Sequence, residues 1–103
     1  MYSLEYLPVA LKDMIEIARY ISHELKNPTA ADRLSEKMIK AADNLITSPY
    51  IYPAYIPIRP LEKEYRKLPV DNFVMFYWVD ETVKTIIIAR VIYSKRNHEE
   101  LLD

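Results

Sequence analysis

The spacing of apolar residues along this chain changes from one segment to the next. From Met1 to Tyr6, Tyr2, Leu4 and Tyr6 alternate with Ser3 and Glu5, the period of a strand with one wet face. From Pro8 to about Leu25, the apolar positions Leu11, Met14, Ile15, Ala18, Ile21 and Leu25 recur in steps of three and four. This spacing predicts a helix whose other face carries Lys12, Asp13, Glu16 and Arg19. Pro8 suits the first helical turn, where its missing N–H leaves no bond unmade. Asn27-Pro28 closes the helix. A second helix over Thr29 to Ile46 is predicted to begin on a capping box of Thr29 and Asp32. Its apolar face is Ala31, Leu34, Met38, Ala41 or Ala42, and Leu45. The short link makes the two helices an antiparallel hairpin.

Pro49 to Pro60 reads PYIYPAYIPIRP, where the fixed φ angles and missing donors of proline predict an ordered loop. Its tyrosines are expected to pack over an edge of the core. Strands follow. Tyr65 to Val70 is the first, Phe73 to Val79 is unbroken apolar sequence, and Ile86 to Tyr93 is apolar except for Arg90. Runs of this kind belong to strands buried on both faces. Asp80-Glu81-Thr82 is the hairpin loop between the last two. Phe73–Val79 is expected at the centre, with Trp78, Phe76 and Val74 turned toward the helices. His98 to Asp103 reads as a short helix or a frayed end. The order β-α-α-β-β-β predicts an α+β fold of two layers. A helical hairpin packs on one face of a mainly antiparallel sheet, in a single domain over residues 1–103.

Composition narrows the chemistry. The chain has no cysteine and no glycine. Disulfides, thiolate metal sites and Gly-rich phosphate loops are therefore excluded, and a reducing, cytoplasmic setting fits. His23 and His98 have no metal-ligand spacing, so neither metal nor cofactor is expected. No apolar run reaches the length of a membrane span, and MYSLEY lacks the pattern of a signal peptide. Fourteen basic and fifteen acidic side chains give a net charge of −1. This argues against a broad electrostatic grip on nucleic acid and in favour of a protein partner.

Cations gather at two places, Lys63 to Lys67 and the end of the last strand with Arg90, Lys95, Arg96 and His98. Each has an ordinary structural reading. Arg66 and Lys67 can be a solvated strand edge. Arg90 can pair with a carboxylate such as Glu64. Arg96 can be a polar strand end, and Tyr93 a packing residue.

Taken together, the chain resembles the RelE/ParE superfamily of toxins from toxin–antitoxin pairs. The resemblance rests on Tyr6-x-Pro8-x-Ala10-x-x-Asp13, Ile17-x-x-Tyr20-Ile21 and Leu45-x-x-x-Pro49. It continues through Tyr65-Arg66-x-Leu68, Phe73-Val74-Met75-Phe76-Tyr77 and Arg90-Val91-Ile92-Tyr93-x-x-Arg96-Asn97. The strand ending is similar to that of the ParE-like branch, with Tyr93 for histidine and Asn97 for aspartate. Val74 stands where RelE-type ribonucleases carry arginine, and Leu101-Leu102 where they carry a tyrosine. The resemblance implies a cytoplasmic toxin of the plasmid-stabilisation type. Its partner would be a small antitoxin laid along the helical hairpin or a sheet edge, and DNA gyrase would be its target. Two alternatives come with it: a metal-independent, ribosome-dependent messenger endoribonuclease, and a degenerate member that binds its antitoxin without toxicity. Arg66, Lys67, Arg90, Tyr93, Arg96 and His98 are the candidate functional residues. Ribonuclease chemistry would need a base, a cation and an acid from that set around one phosphate.

Overall fold

The computed structural model describes residues 1–102. Strand β1 (Ser3–Tyr6) leads into helix α1 (Pro8–Arg19), and helix α2 (Pro28–Asn44) follows. Strands β2 (Arg66–Val70), β3 (Phe73–Asp80) and β4 (Thr85–Tyr93) complete a sheet of order β1-β4-β3-β2. The two long strands, β3 and β4, are central. Both pairings of β3 are antiparallel, and β1 runs parallel to β4.

Both helices lie on one face of this mixed sheet. Ala10, Leu34, Met38, Ala42 and Leu45 pack there against Leu68, Val70, Met75, Tyr77, Ile86 and Ile88. The side chains of β1 that alternate with its polar residues, Tyr2, Leu4 and Tyr6, join the same cluster. A second cluster forms on the opposite face from Tyr65, Val74, Phe76, Ala89, Ile92 and Leu102. Val74, Phe76 and Trp78 therefore face away from the helices, contrary to the expectation, and Met75 and Tyr77 face toward them. A run without polar residues carries no phase, so either side of β3 could have taken the helices. Both positions are equally buried: Phe76 and Tyr77 are each 0% exposed.

Two helix boundaries also differ from the expectation. After Arg19 the chain widens into a π-helical turn, Tyr20–Glu24, in which the Leu25 N–H donates to the Tyr20 carbonyl at 3.2 Å. The extra residue rotates Leu25 off the apolar face, and Leu25 is 57% exposed. Lys26 then turns the chain at φ 52°. Helix α2 starts at Pro28, and its cap is Asn27, whose Oδ1 accepts the Ala30 N–H at 3.1 Å. Proline's fixed φ and absent N–H suit the first helical residue. The start thus moves ahead of Thr29, and the Thr29–Asp32 box is not used.

The Pro/Tyr loop leans on the β2 edge. Ala54 bridges to Arg66, and the Tyr55 N–H donates to the Tyr65 carbonyl at 2.7 Å. From below, the buried Tyr77 hydroxyl donates to the Pro49 carbonyl at 2.8 Å. Burial pushes the Tyr77 phenol up to about 12. Tyr52 joins the helix-side core and Tyr55 the opposite one, while Ile56 and Ile58 stand 88% and 97% exposed.

Candidate functional site

The site begins where β1 stops. β1 pairs with β4 only from Thr85 to Ile88, and the Leu7 N–H makes the last bond, to the Ile88 carbonyl at 2.9 Å. Pro8 then turns the chain into α1. Beyond Ile88, β4 has no strand on that side among the described residues. At the same point the register between β3 and β4 shifts: Tyr77 faces Ile88 and Phe76 faces Arg90, so Ala89 is an extra residue. A bulge of this kind re-aims side chains beside it.

Asp13 fills the gap from α1. Its Oδ2 accepts the Val91 N–H at 3.0 Å and the Arg90 Nε at 2.8 Å, and its Oδ1 accepts Arg90 Nη2 at 3.0 Å. Arg90 Nη1 donates to the Leu101 carbonyl at 3.0 Å. The pair is mostly buried, with side chains 22% and 12% exposed for Arg90 and Asp13. The bond to Asp13 raises the guanidinium's pKa against the opposing effect of burial. Arg90 therefore pairs with Asp13. Glu64, its expected partner, pairs instead with Arg66 at 3.1 Å, because Arg66 sits two residues away at the opposite sheet edge.

An open groove of about 780 Å³ runs between α1, its π-helical turn and the bare end of β4. Ile17, Tyr20, Ile21 and Leu25 form one wall, Phe73 and Tyr93 the other, with Glu16 and Arg96 also in the lining. Tyr93 is 40% exposed and meets Phe73 edge-on, the ring centroids 5.8 Å apart. The Arg96 N–H donates to the Tyr93 carbonyl at 3.0 Å, which turns the chain back at the rim.

Of the six sequence candidates, the groove brings together Arg90, Tyr93 and Arg96. The other three lie elsewhere. Arg66 is on the helix side, in register with Tyr77. Its guanidinium lies 4.8 Å from the Tyr50 ring centre and donates to the Tyr52 carbonyl at 2.7 Å. Lys67 is in register with Phe76 and so with Arg90 across the sheet. Its ammonium lies 5.6 Å from the Tyr55 ring centre. His98 packs edge-on to Phe76 at 5.0 Å, and its buried Nε2 has no partner among the described residues. The sheet thus separates Arg66 from Lys67, and His98 shares the Phe76 cluster, not the Tyr93 wall. The six candidates are thus divided between the groove and two other surfaces. The groove presents an apolar channel with one exposed arginine and a bare strand edge, a geometry suited to gripping an extended chain.

Sequence reasoning missed Asp13 as the keystone of this region. It also missed Glu81, in the turn after β3, which accepts hydrogen bonds from the Tyr50 and Tyr2 hydroxyls and from Lys84 Nζ. These bonds, that from Lys84 first, hold the Glu81 carboxyl down to about 2. The Tyr50 phenol is pushed up to about 12, chiefly by its bond to Glu81. Lys84 is three residues away, but the two tyrosines lie 31 and 79 residues away, so local spacing signals only the Lys84 pair. Among the described residues, no group of three His, Cys, Asp or Glu could hold a metal ion, and no helix is long and apolar enough to cross a membrane.

A family model described as ParE toxin of type II toxin–antitoxin system, parDE, matches residues 4–98. No curated protein matches the chain. Among solved structures, the chain is similar to one from the chromosomal ParDE system of P. aeruginosa. That match has a TM-score of 0.74 at 20% identity and covers 92% of this chain and 98% of that one. A chain of the RelBE2 toxin–antitoxin complex of Mycobacterium tuberculosis gives 0.65 at 16% identity, over 89% and 90%. A metal-bound toxin from Helicobacter pylori gives 0.61 at 21% identity, over 99% and 100%. At such identities these structural likenesses are likenesses of fold.

Proposed function

Because this chain belongs to the ParE toxin family of type II toxin–antitoxin systems, we propose that it is a growth-arresting toxin directed at DNA gyrase and held inactive by a small cognate antitoxin. The observation that carries the gyrase-directed reading is the dispersal of the candidate groups. Arg90 is paired with Asp13, Arg66 is engaged by Glu64 and Tyr52, and His98 lies in a different cluster from Tyr93. General acid–base cleavage of RNA needs proton carriers within about 3 Å of the groups they serve. A binding toxin needs only an exposed recognition surface. The near-neutral charge of the chain supports the same choice, since a surface that works on ribosomal RNA gains affinity from each phosphate it neutralises.

The antitoxin's place in this reading is the groove between α1 and the end of β4. An extended segment there would bury Tyr20, Leu25 and Tyr93, which are 56%, 57% and 40% exposed, and could continue the sheet past β1. Arg96 at the rim would meet an acidic group of that segment.

The test sets the two chemistries side by side. Purified protein is added to gyrase with relaxed plasmid, and messages from induced cells are mapped by primer extension. Loss of supercoiling, restored by the antitoxin, with no new message ends is the expected outcome. New ends on translated messages with supercoiling intact would overturn the gyrase reading and assign the chain to the ribonuclease branch.

A further inference from the structure

The two buried faces of the sheet have unlike covers. One lies under α1 and α2. The other lies under irregular chain, with Tyr55 from the Pro/Tyr loop, Leu61 just after it and residues 98–102 from beyond β4. The second of these pieces is reached through residues 94–97, all exposed. It contains one 3₁₀ turn, Glu99–Leu101. Its apolar anchors are Leu102, 2% exposed, Leu101 packed on the same cluster, and the His98 ring against Phe76.

Its polar anchors are few and specific. The Glu99 carboxylate accepts the Ile58 N–H and lies 3.4 Å from the Tyr55 hydroxyl, and the Glu99 carbonyl accepts Arg59 Nη2 at 2.8 Å. Arg90 holds the Leu101 carbonyl. One feature opposes docking: His98 Nε2 is buried without a partner among the described residues, and a buried unsatisfied nitrogen gives up its hydration for nothing in return. Anchorage by two leucines, an exposed linker and an unpaired polar atom place this short segment below the sheet and helices in local stability.

We propose that residues 98–102 form a strap, latched by Glu99, that opens locally while the sheet and helices stay folded. When closed, it packs His98 on Phe76 and gives the Leu101 carbonyl to Arg90, two residues in register across β3 and β4. When open, it releases those two contacts, while Tyr55 stays edge-on to Phe76 and Asp13 stays paired with Arg90. The strap does not depend on which cellular target the protein acts on.

The chain contains no cysteine, so single thiols report opening directly. Leu102→Cys places one under the strap. Ile88→Cys places one in β4 beneath the helices, at a position 0% exposed. Each is labelled with a water-soluble disulfide reagent under native conditions, with and without Glu99→Ala. Leu102→Cys should label at least about tenfold faster than Ile88→Cys, with little dependence on dilute urea, as expected for local opening. Glu99→Ala should speed Leu102→Cys further and leave Ile88→Cys unchanged. Amide exchange of Leu101 and Leu102 in the unsubstituted chain, read against Ile88, should show the same order and guards against loosening by the substitution itself. Equal rates at the two depths, with equal urea dependence, would mean that the segment opens only with the whole fold, and the strap would be overturned. An unchanged Leu102→Cys rate in Glu99→Ala would remove Glu99 as the latch.

Discussion

Asp13 takes the place of a strand that ends too soon. Its carboxylate meets the backbone N–H that β1 no longer reaches and also neutralises Arg90. Removing one member of a mostly buried pair leaves the other charge unpaired, at a cost of about 3–5 kcal/mol in full burial. Both side chains keep some exposure, so Asp13→Ala and Arg90→Ala should each cost about 3 kcal/mol. The double variant should cost clearly less than the sum, because both singles break the same contact. Urea denaturation of the four proteins measures this, and additive losses would separate the two residues. Glu81 offers a test by pH. Its folded-state pKa lies below the ordinary carboxylate value, so its bonds stabilise the fold above that value and are lost as pH falls toward about 2. Tyr50 is shifted the other way, so its contribution holds below the ordinary phenol value of 10 and fades as pH rises through about 12. Stability should therefore fall between pH 4.5 and about 2 in the parent. In Glu81→Gln that slope should flatten. An acid limb identical in the two proteins would contradict the cluster's role. Neither Asp13 nor Glu81 was legible beforehand as a keystone, because hydrogen-bond partners far apart in the chain leave no mark on local spacing.

The elements were more readable than their phases. Alternation in β1 told which of its side chains go inward, and steps of three and four told the buried face of α2. In α1 the same steps misplaced it: Leu11 and Ile15 are 47% and 56% exposed, and Ala10, Met14, Ile17 and Ile21 face the core instead. Phe73–Val79 announced a central strand but not which side meets the helices, since that depends on the register with β4 and its bulge at Ala89. The π-helical turn after Arg19 was likewise hidden, because one extra residue per turn leaves the apolar spacing up to Ile21 intact. Burial on both faces has a consequence that one-sided strands lack. Phe76→Ala should cost about 3–5 kcal/mol although Phe76 lies on the face away from α1 and α2, and Met75→Ala on the helix side about 2–5 kcal/mol. Thermal unfolding should show both as large losses. A Phe76→Ala protein that melts with the parent would show that the second face contributes little.

At the scale of the molecule, sequence and structure agree on order, layers and family. The chain reads β-α-α-β-β-β, the helical hairpin covers one face, and a ParE toxin model spans residues 4–98. The candidate residues were legible as a list and not as a site. Three of six share the groove at the end of β4, sheet register sets Arg66 and Lys67 on opposite faces, and His98 packs on Phe76 from beyond the sheet. That groove, apolar along its walls and bordered by a bare strand edge, is what an antitoxin segment would cover. The most direct measurement is growth. The chain is induced alone, and then together with the reading frame encoded beside it, at matched and verified expression. Arrest by the chain alone, with growth restored by its neighbour, is the predicted result. Unimpeded growth with the folded protein abundant in the cell would contradict its action as a toxin.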